Sequence, residues 1–339
     1  MNKKNIILLI TGVVIVVAGW FGYKEYFTTT TTTELYPDKI TIGYVSWPGY
    51  LGLYIANEKG YFKELGLDVD IRAYPSLSEE YSDYVSGKIQ GAANLTLDAI
   101  NEAYDGLDHK IILVIDHSNG SDGIIASRGI KDFMGVKGQM VAFEYGTLEE
   151  FFLLYALDRN NLSLTDIIPI NLSPEKSADA VVTGDAGVAV TYEPFMSEAI
   201  TKSGGNKIFS SADAPGLITD VLTFHSDFIK AHPNTIEAIV RAYFKAVRFW
   251  KEHPEDANVI IAKYLNITAD QVSAQVGGVK LLDESDNRTA FTFSVGLESL
   301  YGNMRSVDEF LKKHQQNTNT RDVDTDTLIE PRFIRKLQK

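Results

Sequence analysis

The sequence predicts an α/β protein built as two facing units, each a mostly parallel sheet with helices on both faces. Three observations carry this. From Lys39 onward strand-like and helix-like stretches alternate, which calls for parallel strands joined by crossover helices. The β-α-β-α-β order then restarts near residue 128, so the pattern occurs twice. The run "KIILVID" (110–116) is apolar without polar alternation, as a strand buried on both faces must be. With 339 residues and 45% hydrophobic composition, the chain can bury a sizeable core and suits about two domains.

Taken in order, "KITIGYV" (39–45) alternates apolar and polar residues, as a strand does. "LGLYIANEKGYFKELG" (51–66) sets Leu51, Tyr54, Ile55, Tyr61 and Phe62 near one helical face, with Gly66 as its stop. "LDVDIRAY" (67–74) is a strand, "SEEYSDYVSGKIQ" (78–90) a helix, "GAANL" (91–95) a strand and "TLDAINEAYDG" (96–106) a helix. In the second unit, "GQMVAFEYG" (138–146), "DIIPINL" (166–172), "AGVAVTYEP" (186–194) and "NKIFSS" (206–211) are strands. "TLEEFFLLYALDRNNL" (147–162), "SPEKSADAVVTG" (173–184) and "FMSEAITKSGG" (195–205) are the helices between them. "VLTFHSDFI" (221–229) returns to a strand, and a long helical tail follows from Pro233. No stretch repeats at a fixed period, so the two units share a pattern and not residues.

The N-terminus reads differently. Lys3 and Lys4 precede an uncharged run from Asn5 to Tyr23, close to the ~20 residues a membrane-spanning helix needs. Trp20, Tyr23, Tyr26 and Phe27 stand where an interfacial aromatic belt would lie. There is no small-x-small cleavage site of the Ala-x-Ala kind. Residues 1–27 are therefore expected to form an uncleaved transmembrane anchor, with Lys3 and Lys4 inside and the body outside the cell membrane; the alternative is an atypical cleaved signal peptide. Thr28–Thr33 opens a polar, low-complexity linker over 28–38.

The formal charge of −13 is concentrated in the body, because residues 1–27 carry a net +2. That surface repels nucleic acid and anionic headgroups, which are bound through Lys and Arg clusters that the sequence lacks. The chain has no cysteine, which excludes disulfides, thiolate metal sites and cysteine nucleophiles. The six histidines show no HExxH spacing, and there is no Walker motif, GxSxG, or GxGxxG at a strand–helix turn. No metal, cofactor or catalytic residue is expected, and the protein is expected to act as a monomer without turnover.

Ligands of open parallel sheets bind beyond the carboxyl ends of strands, near helix N-termini. The loops to inspect are therefore "SWPGY", "NLT", "DHSNGSDG", "EYGT", "YEP" and "APGLITD". Trp47 and Tyr50 place two large rings in a Pro-Gly turn where small residues would turn more readily. Asp116, Asp122, Glu144, Glu193 and Asp220 supply carboxylates, and no Lys or Arg lies inside these segments. That balance favours a cationic or zwitterionic ligand held between aromatic rings and carboxylates. Structural alternatives stand beside these readings: Trp47 as a core-edge aromatic, Asp116, Ser118, Asn119 and Asp122 as a polar turn held by Asx hydrogen bonds, Thr147 as a helix N-cap, Glu193 as a helix-dipole carboxylate, and Asp220 as a hinge residue.

The stretches "GLYIANEKGYFKELGLDVDI", "DHSNGSDGIIA", "VAFEYGT", "AVTYEPF" and "APGLITDVLTFHSDFI" together resemble the nitrate/sulfonate/taurine group of ABC-transporter substrate-binding proteins, which includes binders of thiamine precursors. The resemblance runs from about Lys39 to about Lys313. It implies a two-lobed, type II periplasmic-binding-protein-like fold with a cleft between lobes. Residues 39–127 and 221–339 would form lobe one and 128–220 lobe two, with crossings near Ala126 and Val221. It also implies a small-molecule ligand and partnership with an ABC permease and its ATPase. The expected ligand contacts are Ser46, Trp47, Gly49, Tyr50, Asn94, Asp116, Ser118, Asn119, Asp122, Glu144, Gly146, Thr147, Tyr192, Glu193 and Asp220. A membrane-tethered sensor is the alternative. A pyrimidine-precursor synthase of thiamine metabolism resembles the same fold, but such enzymes use a cysteine-rich stretch that is absent here.

Overall fold

The computed structural model describes residues 39–314 and 321–337. The expected anchor (1–27) and Thr-rich linker (28–38) lie outside the described residues. Among the described residues no helix is long and apolar enough to cross a membrane.

Two sheets organise the chain. Its strands are β1 (Ile40–Val45), β2 (Val69–Tyr74), β3 (Gly91–Leu95), β4 (His109–Ser118), β5 (Asp122–Ala126), β6 (Met140–Phe143), β7 (Ile168–Asn171), β8 (Val188–Tyr192), β9 (Asn206–Ser210), β10 (Thr219–His225) and β11 (Val279–Leu281). The first sheet has the order β11-β4-β10-β3-β1-β2, and the second β7-β6-β8-β5-β9. Within the first, β1 pairs in parallel with β2 and β3, and β10 runs antiparallel between β3 and β4. Within the second, β6 pairs in parallel with β7 and β8, and β5 is antiparallel to both β8 and β9. This is the mostly parallel α/β arrangement that the alternation predicts, with one or two reversed strands in each sheet.

The reversed strands mark where the chain changes sheets. β4 ends at Ser118 in the first sheet, and β5 begins at Asp122 in the second, so the outward crossing is Asn119–Ser121. The return lies between Ser210 and Thr219. Both crossings come earlier than the expected positions near Ala126 and Val221. The reason is pairing: Asp122–Ala126 bonds to β8 in full register, Asp122 opposite Tyr192 and Ala126 opposite Val188. "DHSNGSDG" is therefore mostly strand and not loop. "VLTFHSDFI" is strand only to His225, and Ser226–Ala231 is helical. The expected helix over 51–66 is broken into Leu51–Glu58 and Tyr61–Glu64.

The core supports these elements from both sides. In β4, Ile111, Ile112, Leu113, Val114 and Ile115 are all fully buried, which is why its sequence shows no alternation. The long helix Pro233–Glu252 buries Ile236, Ile239, Tyr243 and Val247 along one stripe. Each such side chain contributes about 1.5–3 kcal/mol on leaving water. Gly52 lets this helix approach the first one: a Cβ there would lie 2.3 Å from a Tyr243 ring carbon. The tight contact fixes the helix Leu51–Glu58, and with it the "SWPGY" turn that leads into it.

Candidate functional site

A cavity of about 600 Å³ opens between the two sheets, at the carboxyl ends of strands from both. The first sheet and its loops supply Ser46, Trp47, Tyr50, Tyr74, Asp98 and Asp220. The second supplies Asp122, Glu144, Thr147, Glu149 and Tyr192. Eight of the expected contacts are thus brought together in one wall: Ser46, Trp47, Tyr50, Asp122, Glu144, Thr147, Tyr192 and Asp220.

The two rings of the Pro-Gly turn are anchored from below. Pro48–Tyr50 forms a single 3-10 turn, and Trp47 precedes it in extended backbone. The Trp47 indole N–H donates to Asp116 Oδ2 at 3.2 Å, and the Tyr50 hydroxyl donates to Asp220 Oδ1 at 2.7 Å. The Tyr54 hydroxyl donates to the Trp47 carbonyl at 3.0 Å. Gly49 lies over the Asp116 carboxyl, where a Cβ would sit 1.9 Å from Oδ2. Large aromatics therefore stand in this turn because they cover, and donate to, a pair of buried acids.

Those acids define the electrostatics. Burial pushes Asp116 up to about 8 and Asp122 up to about 7. Burial also raises Asp220 well above the usual carboxylate range, and the neighbouring Asp116 raises it further. Asp98 is pushed up to about 6, first by burial, with Glu149 adding to it. Burial raises Glu149 as well. The Asp122 Oδ2 atom is buried with no hydrogen-bond partner. Among the described residues none of those lining the cavity is Lys, Arg or His.

Asp98 and Glu149 were not expected from the sequence. Each sits in the first turn of a helix whose N-terminus faces the cavity, Thr96–Asp105 and Leu148–Arg159. Asp98 Oδ2 accepts the Leu95 backbone N–H at 3.3 Å. Thr147 caps the second helix by accepting the Glu149 N–H at 3.3 Å, and its hydroxyl lies 2.5 Å from Glu149 Oε2. The signal was present: "TLD" and "TLE" open the two helices at matching places in the two units. Tyr74 to Ser78 also line the cavity, running from the end of β2 into the start of the helix Leu77–Val85, a strand end not among the loops singled out from the sequence.

Seven expected contacts stand outside the cavity wall. Gly49 and Asp116 lie beneath it, as described. Ser118 is buried in β4 and its hydroxyl pairs with Ser211 at 2.8 Å. The Asn119 N–H donates to the Gly278 carbonyl at 2.8 Å, a crossing contact. Asn94 donates to both oxygens of Glu102, at 3.1 and 3.2 Å. The Gly146 N–H donates to Glu150 Oε2 at 2.7 Å. Glu193 accepts from Ser197, from its backbone at 3.2 Å and its hydroxyl at 2.7 Å, and so closes the start of its own helix. It takes the structural role that the sequence left open.

With the cavity defined, comparison with known proteins is informative. The sequence profile of the NMT1-like family matches residues 34–266. The chain belongs to the NMT1-like family. A Bacillus subtilis (strain 168) protein named as an aliphatic sulfonates-binding protein is 28% identical over 212 residues, which is 60% of this chain and 64% of that protein, just under two thirds of its length. The periplasmic aliphatic sulphonate binding protein SsuA of Escherichia coli superposes with a TM-score of 0.72 at 16% identity, over 87% of this chain and 92% of that one. The periplasmic nitrate-binding protein NrtA of Synechocystis PCC 6803 superposes with a TM-score of 0.64 at 16% identity, over 89% of each chain. The family resemblance read from the sequence is thereby established, and the fold is the periplasmic-binding-protein-like one.

Proposed function

We propose that the chain is the solute-binding component of an ABC importer and takes a small organic cation or zwitterion in the cleft between its sheets. The cleft wall carries that reading: Asp98, Asp122, Glu144, Glu149 and Asp220 line one cavity with Trp47, Tyr50, Tyr74 and Tyr192, and no basic side chain joins them. Ammonium or amidinium groups satisfy such acids, and the rings stack on or cover the rest of the ligand. The relatives named for sulfonates and nitrate support the transport role and the extracytoplasmic setting. They do not set the ligand's charge. Free helix N-termini hold anions; of the four helix starts in the cleft wall, those of Thr96–Asp105 and Leu148–Arg159 carry their own carboxylates there, Asp98 and Glu149, whereas those of Leu77–Val85 and Pro174–Thr183 put no carboxylate in the wall.

The role proposed is binding and delivery to a permease without turnover. A thermal-shift panel of amines, amidines, aminopyrimidines, taurine, alkanesulfonates, nitrate and bicarbonate tests the ligand class. Saturation at a hundredfold excess over Kd is worth about 2.7 kcal/mol, a readily measured shift. Shifts confined to compounds with a cationic group support the reading. Shifts confined to sulfonates or nitrate overturn it.

A further inference from the structure

A second pocket, of about 190 Å³, lies beside the cleft between the helices Leu77–Val85 and Thr96–Asp105. Leu77, Ser78 and Asp98 stand in the walls of both. Its remaining polar lining includes Glu80, Asn94 and Glu102, which are 2%, 3% and 5% exposed. Glu80 Oε1 and Asn94 Oδ1 are buried without a hydrogen-bond partner. Buried polar atoms left unpaired are rare in folded proteins, and each costs about 1–3 kcal/mol. Both residues stand in the wall of this one small pocket.

Among the described residues no Lys or Arg lines this pocket. Burial raises Glu80 and Glu102, and the charge of Asp98 raises both further. The nearest ring nitrogen, His109 Nε2, is 3.5 Å from Glu102 Oε2. Burial holds that histidine down to about 4, so at physiological pH it brings no positive charge to the carboxyls. Tyr81, also in the wall, gives its hydroxyl to Asp105 at 2.7 Å. Among the described residues no group of three or more His, Cys, Asp and Glu is arranged to hold a metal ion. An ammonium group, with three donors and no acceptor, matches what the pocket offers.

Resting on the cationic reading of the cleft, we propose that this side pocket takes a second ammonium group of the same ligand, so that the preferred solutes are elongated dications with one end at Glu80, Asn94 and Glu102 and the other among the cleft acids. Asp98, common to both walls, stands at the junction.

The test compares α,ω-diamines from propane to hexane with the matching monoamines by isothermal titration. In the wild-type chain at least one diamine binds roughly tenfold or more tighter than its monoamine. Glu80→Gln and Asn101→Lys each reduce that ratio to near one while monoamine affinity stays as in the wild type. Asn101→Lys does so by placing the chain's own ammonium at the pocket wall, and it covers the case in which Glu80→Gln fails to fold. Equal binding of diamines and monoamines by the wild type overturns the side-pocket proposal alone, as does a ratio that survives in either variant. If neither amine class binds, it is the reading of the cleft itself that fails.

Discussion

Asp116 of β4 and Asp220 of β10 stand directly opposite one another in the first sheet, both buried, with Trp47 donating to the first and Tyr50 to the second. Two acids so placed cannot both ionise without a cation nearby. The pair therefore holds at least one proton, and under the proposed function a positively charged ligand in the cleft above would displace it.

The pH dependence of stability follows. Asp116 at about 8 and Asp122 at about 7 bind protons in the folded chain that the unfolded chain releases near 4. These acids make the folded state less stable as pH rises through that window. His109 and His117, held down to about 4 by burial, act oppositely between about 4 and 6.5. Above about 6.5 only the acids remain. The ligand-free protein is expected to lose melting temperature from about pH 6.5 to 8, and Asp116→Asn should flatten that fall. A melting temperature that rises across the window contradicts the assignment.

Gly49→Ala tests the cover over Asp116. Its Cβ would meet Asp116 Oδ2 at 1.9 Å and Trp47 Nε1 at 2.5 Å, so the turn or the carboxyl must move. The expected loss is about 1–3 kcal/mol in denaturant unfolding, together with weaker ligand binding. A neutral variant would mean that the turn is loosely held.

Trp47→Phe keeps a ring in the cleft and removes the indole donor to Asp116. Leaving that buried acceptor short of a partner is expected to cost about 1–3 kcal/mol of stability. Affinity is expected to fall less than in Trp47→Ala, where the aromatic face is also lost. The three tryptophans include Trp20 and Trp250, so the fluorescence change on ligand addition should vanish in Trp47→Phe if this ring reports the cleft.

Charge-neutralising variants separate cleft acids from structural ones. Asp122→Asn and Glu144→Gln are expected to weaken cation binding by roughly tenfold or more, as loss of a charge-assisted contact does. Glu193→Gln should leave affinity unchanged, because Glu193 serves Ser197 at the start of its helix. Titration calorimetry on the three variants decides this, and a Glu193→Gln defect equal to the others would return that residue to the site.

Much of this was legible in the sequence, for identifiable reasons. β4 and the helix Pro233–Glu252 announced themselves through apolar run and stripe. The rule that ligands bind beyond strand carboxyl ends led to Trp47, Tyr50 and Glu144; it reached Asp122 and Asp220 as loop residues, and each stands instead at the start of a reversed strand in the cavity wall. Burial depth was not legible. Asp116 lies only six residues before Asp122, yet one is beneath the floor and the other in the wall, because the chain changes sheets between them. Asp98 and Glu149 were absorbed into helical periodicity, since position in a first turn gives no hint of what that turn faces. Glu80 sits in a helix that the strand-end rule does not reach, and it meets Asn94 of the "NLT" loop only where two helices pack beside the cleft.

The most direct measurement is the affinity of one alkylamine and one alkanesulfonate at about pH 6.5 and about pH 8. An alkylamine stays protonated at both values, while Asp116 and Asp122 give up protons between them. The account predicts that the amine binds, that it binds more tightly at the higher pH with protons released to the buffer, and that the sulfonate does not bind. Sulfonate binding at either pH without amine binding would contradict it.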